Sequence, residues 1–396
     1  MIPRIGQICL KFRLPRFTSR RPMSDGKGKG GQTMKFDIGT GDKKKSYEFI
    51  DEKAGQERAN SFYNWFRTVK GQKTVGGFWI GLSVLGALYQ VAPHWFFLNQ
   101  VKSIYQSYTK GFKTPVRNEL LKLLNEVVNE MNLSDEEVDH LSVFIVNNMT
   151  EPYGWGELGK ESLIGIPDFF HYKSVEDVPM ERMRIGESHG TGDDDMLLTG
   201  SQIESEHGQM FADSLVMSDK AKKFAMAREI ERTRQIPYMT HAVFSFSFIL
   251  LLYNSARIVN KRAGLMTKPP IMRGFMYLSL LPTFILTYCL SKDAYNRQVD
   301  REVDRLTASI GPDYSAGGTE YYSKMMNRNV ALREFQGESG KSKFNRHGDV
   351  IQVGSNDKYF QQILCCVLFQ GIIRVKSPSL TERKDICLKQ NFIKAS

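Results

Sequence analysis

Three long windows without a single Lys, Arg, Asp or Glu constrain this chain most: 74–101, 235–256 and 274–291, of 28, 22 and 18 residues. A helix rises about 1.5 Å per residue, so roughly 20 apolar residues cross the ~30 Å hydrocarbon layer of a bilayer. The second window is the clearest and holds the run Phe244-Ser-Phe-Ser-Phe-Ile-Leu-Leu-Leu-Tyr253. The first carries Trp79 and Trp95 near its ends, where interfacial aromatics belong. The third is marginal in length, and Pro282 inside it invites a kink. The pattern predicts transmembrane helices over 75–98, 237–257 and 274–291. The alternative is three buried helices of a soluble protein.

Charge sorts the remainder. The whole chain carries +11, but residues 1–74 hold 17 basic against 7 acidic side chains, and 99–236 hold 15 against 24. The short connector has Arg257, Lys261, Arg262, Lys268 and Arg273 and no acid. Residues 292–396 hold 17 basic and 12 acidic. Short basic loops stay on the side from which insertion occurs. Three crossings put 1–74 and the 258–273 loop on one side, and the acidic 99–236 region and the C-terminal region on the other. A basic total invites nucleic acid. Here the excess sits in the N-terminal arm and the connector, with no aromatic-basic motif beside it, so no nucleic-acid partner is expected.

Residues 1–24 contain Arg4, Lys11, Arg13, Arg16, Arg20 and Arg21 with no acid before Asp25, which is the composition of a mitochondrial transit peptide. A basic disordered tail is the alternative. Residues 25–74 read as a polar flexible linker. Past the first crossing, Val116, Leu120, Leu123, Leu124, Val127 and Met131 recur at helical spacing. Ser134 with Glu137 forms a capping box for a further helix, striped by Val138, Leu141, Ile145 and Met149. Leu163-Ile-Gly-Ile-Pro-Asp-Phe-Phe170 reads as a strand or a buried loop. Asp193-Asp-Asp195 would tempt a metal, although such a loop run beside Gly190 and Gly192 is usually solvated. The helical C-terminal region is drawn at 292–352 and a divergent tail at 353–396. Ile363 to Ile373 is too short to span a bilayer. Cys9, Cys289, Cys365, Cys366 and Cys387 form no metal or redox spacing.

The flanks of the 235–291 hairpin carry the most distinctive residues: Gly165-Ile-Pro167, Lys223-Phe-Ala-Met-Ala-Arg-Glu229, Arg305-Leu-Thr-Ala-Ser309 and Gly317-Gly-Thr-Glu-Tyr-Tyr322, extended by Asn329-Val-Ala-Leu-Arg333 and Gly348-Asp-Val-Ile351. In these runs the chain resembles the transmembrane protein 177 family over roughly 76–352. The N-terminal extension of some 70 residues and the tail depart from that pattern. The resemblance implies a multi-pass protein of the mitochondrial inner membrane. It also implies a role in cytochrome c oxidase assembly, holding newly made subunit II with its membrane chaperone.

The same flanks permit a second reading. Membrane zinc peptidases place HExxH on one helix and a Glu ligand after two membrane segments. Two His at i and i+4 share a helix face and bind zinc, while the Glu between acts as general base. The register here is Arg228-Glu-Ile-Glu-Arg232, followed after the hairpin by Glu302-Val-Asp-Arg305. Guanidinium has no lone pair to offer a metal. If that ancestry holds, Arg228 or Arg232 pairs with Glu302, or with Asp304, and a salt bridge replaces the metal tie. The bland reading is a charged surface helix with incidental pairs.

The fold class expected is therefore mainly α: a multi-pass membrane protein with three transmembrane helices and a small helical or α+β soluble domain. One reading of its core is a degenerate membrane metallopeptidase. The candidate polar cluster is Arg228, Glu229, Arg232, Glu302, Asp304 and Arg305. The candidate helix-packing face is Gly77, Gly81 and Gly86, where small residues let a partner's span approach. No cofactor, metal or catalytic residue is expected. His94, His140, His171, His189, His207, His241 and His347 are scattered without ligand spacing. The leading function is non-catalytic assembly. An enzyme, as a metallopeptidase-like protein, is the alternative. A transporter would want an intramembrane charge, which the windows lack.

Overall fold

The computed structural model describes residues 35–38, 45–48, 68–146, 152–185, 196–351 and 375–395. The transit-like segment, the Asp193–Asp195 run, Cys365-Cys366 and most of the divergent tail fall outside these residues. Within the stretch read as a flexible linker, β1 (Lys35–Ile38) and β2 (Lys45–Glu48) pair antiparallel.

Three helices are long and apolar enough to cross a membrane: α1 (Val69–Trp95), α8 (Pro237–Arg262) and α9 (Pro270–Ala308). Between the first two come α2 (Leu98–Tyr105), a hairpin of β3 (Tyr108–Thr109) and β4 (Phe112–Lys113), and α3 (Asn118–Glu130). The one-turn α4 (Asp135–Asp139) and the strands β5 (Leu141–Val146), β6 (Tyr153–Glu157) and β7 (Glu161–Pro167) follow. A small pair, β8 (Arg184–Ile185) and β9 (Met196–Leu197), precedes α5 (Gly200–Ile203), α6 (Glu206–Leu215) and α7 (Asp219–Arg234). After the hairpin come α10 (Pro312–Phe335), α11 (Gly337–Lys343) and α12 (Leu380–Ala395).

The membrane helices pack in alternating directions. Trp79 on α1 stacks on Tyr253 of α8, with centroids 5.8 Å apart, and at the other end His94 stacks on Tyr238 at 4.4 Å. Tyr288 of α9 bonds Ser245 of α8 at 3.0 Å, and Asn296 meets His241 at 2.8 Å. The basic connector thus lies at one end of the bundle, and the 98–236 region and the polar half of α9 at the other.

The soluble part is built on this second end. Leu120, Leu124 and Val127 of α3 are buried, as their spacing requires. The capping box at Ser134 forms, with Glu137 N–H donating to Ser134 Oγ at 3.3 Å. The helix expected beyond it stops after one turn. Leu141–Val146 is instead a strand, because the run Val143-Phe-Ile-Val146 is β-branched and aromatic. It pairs parallel with β7, which pairs antiparallel with β6, in the order β5-β7-β6. β7 and the 3-10 turn Asp168–His171 are both buried, so the 163–170 run is a strand that passes into a buried turn.

Above this sheet, α7, α10 and α6 share one core with α3. Phe224, Met226, Ile230, Phe211 and Tyr322 are all at or below 1% exposure. At α7's end Ile236 takes φ 48°, a left-handed conformation that a β-branched residue strongly resists. Pro237 then starts α8, so the turn from shoulder to span is fixed at that residue.

Candidate functional site

α9 runs unbroken for 39 residues, through Pro282, from the connector into the soluble part. At about 1.5 Å per residue this is roughly 58 Å, about twice the hydrocarbon thickness. The sequence reading ends the third span at 291; the helix does not end there. Its continuation carries Asp300 and Asp304 on one face, one turn apart, against α7.

There Asp304, fully buried, accepts four bonds. Arg228 Nε donates to Oδ1 at 2.8 Å, Tyr322 Oη to Oδ1 at 2.7 Å, and Arg383 donates from Nε to Oδ2 at 2.7 Å and from a terminal nitrogen to Oδ1 at 3.0 Å. A carboxylate offers about four acceptor positions, two on each oxygen, and four donors converge here, three of them on Oδ1. Arg228 spreads its other nitrogens to Asp300 at 3.3 Å and to the neighbouring Glu229. Glu229 also accepts the Gly154 N–H at 3.0 Å, tying α7 to β6. Arg232, partly exposed, reaches Asp300 at 3.4 Å and lies over the Tyr153 ring. Arg383 stacks over Tyr322 at 4.7 Å. Three guanidinium groups thus face three carboxylates.

Burial alone would push the Asp304 carboxyl up. Arg383 and Arg228 outweigh it and hold it below its ordinary value of 3.8. Burial likewise disfavours the Arg228 charge, and the acidic groups around it reverse that effect. Glu229 goes the other way: burial raises it against the pull of Arg228 and Arg232.

Of the residues singled out in the sequence, the fold brings Arg228, Glu229 and Asp304 into contact and leaves Arg232 at the edge. Glu302 and Arg305 are elsewhere. They pair with each other at 2.6 Å, each roughly half exposed, on the outer face of α9. The reason is helical phase: 300 and 304 share a face, whereas 302 is about 200° round from 300. The partner for the arginines is the aspartate pair, and Glu302 is corrected out of the cluster. Among the described residues no three His, Cys, Asp or Glu groups gather as metal ligands. His94 accepts the Gly156 N–H at 3.2 Å, and His171 pairs with Asp168 at 3.0 Å.

Sequence reasoning missed Asp300 and Arg383. Asp300 was legible by its i,i+4 relation to Asp304. Arg383 was not, because it sits on α12, in the stretch set apart as a divergent tail. α12 is held by Thr381, whose N–H and hydroxyl donate to Asp349 at 3.0 and 2.7 Å, and by Arg301 with Glu382 at 2.7 Å.

The packing also explains the distinctive motifs. A Cβ on Gly317 would stand 2.3 Å from the Lys220 carbonyl, so α10 crosses α7 with backbones in contact. Glu320 bonds the Ser218 N–H at 3.0 Å, supporting the Ser218 cap of α7, and Tyr322 supplies the bond to Asp304. Asn329 Nδ2 donates to the Gly348 carbonyl at 2.8 Å. The small residues of α1 divide. Gly86 faces Ile249, whose Cδ1 would lie 2.7 Å from an added Cβ, whereas Gly77 and Gly81 face open space.

A family model described as Transmembrane protein 177 matches residues 156–357. Transmembrane protein 177 of Danio rerio is 29% identical over 258 residues, covering 63% of this chain and 77% of the relative. The Xenopus laevis protein of that name is 27% identical, covering 69% and 83%. The Homo sapiens protein is 24% identical, covering 63% and 76%. No solved structure matches the chain. The matched segment holds α7, both helices of the hairpin, Asp304 and Tyr322, and ends before Arg383. This chain is a multi-pass membrane protein of the transmembrane protein 177 family.

Proposed function

We propose that this protein is a non-catalytic assembly factor of the mitochondrial inner membrane, holding newly made cytochrome c oxidase subunit II with its membrane chaperone. The non-catalytic part is carried by one observation. Arg228, at a position where HExxH has a histidine, is committed to Asp304 at 2.8 Å, and guanidinium cannot ligate zinc. The subunit II part rests on family membership.

The Arg-rich, acid-free segment 1–24 supports mitochondrial import. The basic 258–273 loop supports an orientation with that loop and residues 1–74 in the matrix, and 99–236 and the C-terminal region in the intermembrane space. The open face of α1 at Gly77 and Gly81 is the docking place for a partner's span; Gly86 is already occupied by α8.

Removal of the protein should shorten the lifetime of newly labelled subunit II, and crosslinking in intact mitochondria should recover subunit II and its chaperone. Unchanged turnover in the knockout would falsify the role. Stoichiometric zinc in the purified protein would overturn the non-catalytic reading.

A further inference from the structure

A cleft of about 590 Å³ opens at the end of α7 farthest from the membrane, between the start of α7, α3 and the 3-10 turn after β7. Its size suits a small molecule. Lys222 lines it and is only 6% exposed, yet its ammonium has no hydrogen bond or ion pair among the described residues. Buried lysines are almost always paired. His171 also lines it, with Nε2 buried and unpartnered there while Nδ1 meets Asp168.

The charges around these groups are unbalanced. Glu119 is taken by Lys173 at 2.6 Å, and Glu126 by Lys223 at 2.5 Å. On the lining Arg117, Lys122, Lys173 and Lys222 outnumber Glu119, Glu126 and Asp219 by one; Glu320 also acts on Lys222, and Asp177 on Arg117. This cationic excess lies inside a region, 99–236, that is strongly acidic as a whole. The N-terminus of the 16-residue α7 adds its partial positive charge to the same opening.

We propose that this cleft binds a small oxyanion-bearing molecule, a phosphate ester or a polycarboxylate, with Lys222 as its central contact. Burial lowers the Lys222 pKa; a bound anion would reverse that by restoring a counter-charge. The site is separate from the arginine–aspartate cluster. Lys222 and Arg228 are six residues apart, about 9 Å along the helix.

The test uses the full-length protein in detergent with inorganic pyrophosphate and citrate as probes, at constant ionic strength against chloride. At least one should raise the melting temperature saturably and give a calorimetric isotherm; the one that does identifies phosphate or carboxylate as the chemistry. Lys222→Met should weaken that binding at least tenfold and Lys222→Arg should retain it. Because the lysine is buried without a partner, Lys222→Met should also melt higher than wild type when ligand-free. The proposal is overturned if neither probe saturates, or if Lys222→Met binds as wild type does. A ligand-free Lys222→Met that melts lower would also overturn it, since the lysine would then be structural.

Discussion

The two halves of α9 bury opposite chemistries. In the membrane half Phe275 and Leu278 are each 65% exposed on the bundle surface and Leu281 is 49% exposed. In the other half Asp304 is fully buried and Asp300 nearly so. Each half obeys its solvent. Lipid tails are as apolar as leucine, so nothing drives the first half's side chains inward, and small or polar contacts such as Tyr288 with Ser245 join the spans. Outside the lipid the apolar surface must be covered, and α7, α10 and α12 cover it. The aspartates that go in with it survive because guanidinium groups meet them. A buried ion network is weak evidence of net stability, but losing one member leaves a charge uncompensated. The rigid continuation of a membrane helix is therefore gripped by a cluster that tolerates little change.

The strongest way to break that contrast is Asp304→Asn. It leaves Arg228 and Arg383 buried without their shared counter-charge, and the cost should be about 3–5 kcal/mol. Thermal unfolding in detergent would show it as a large fall in melting temperature; a shift no larger than that of a surface variant would mean the cluster does not grip the helix. The pH dependence follows from the sign of the Asp304 shift. Its folded pKa lies below the ordinary 3.8, so its contribution is present above that value and lost as pH falls through the lower folded pKa. Wild type should lose stability below about pH 4, and Asp304→Asn should lose less over the same range.

Arg383→Met comes next. Asp304 keeps Arg228 and Tyr322, so the loss should be smaller, about 2–3 kcal/mol. Limited proteolysis should then cut residues 375–395 earlier than in wild type. Equal protection would show that α12 is held without Arg383, by its apolar side and its contacts with Asp349 and Arg301. Gly317→Ala tests the backbone contact of α10 with α7 and should cost about 1–3 kcal/mol through overpacking. Gly81→Ala, facing open space, should leave the melting temperature unchanged and so marks the membrane side of the contrast.

The membrane half was legible because a charge-free window needs no partner to be read. Three helices long and apolar enough to cross a membrane were legible; their ends were not, the third running to Ala308 and not to 291, because the sequence marks where charge begins and not where a helix stops. The polar cluster was half legible. Arg228, Glu229 and Asp304 were chosen by analogy with a metal motif, and the analogy also chose Glu302, which helical phase turns outward. Asp300 needed only the i,i+4 rule applied from Asp304. Arg383 was beyond reach, since its place depends on a tertiary contact from a segment lying after the family match. The strand at Leu141–Val146 was lost to a capping box whose signal was real but whose helix lasted one turn.

A small effect, read against the buried cluster, completes the contrast. Glu302 and Arg305 form a close two-pronged pair, at 2.9 and 2.6 Å, with geometry as good as any bond to Asp304. Distance alone would rank them equal. Yet both side chains stand in water, where an unpaired charge is solvated at little cost, and such pairs give under about 1 kcal/mol. Glu302→Gln should therefore shift the melting temperature only slightly, and 0.5 M salt should erase most of that shift, since the Debye length is then only about 4–5 Å. Asp304→Asn should keep its deficit in the same salt, because ions do not reach a buried carboxylate. If salt rescued both variants alike, the cluster would be wet, and the two halves of α9 would differ in composition only and not in how they exclude their solvent.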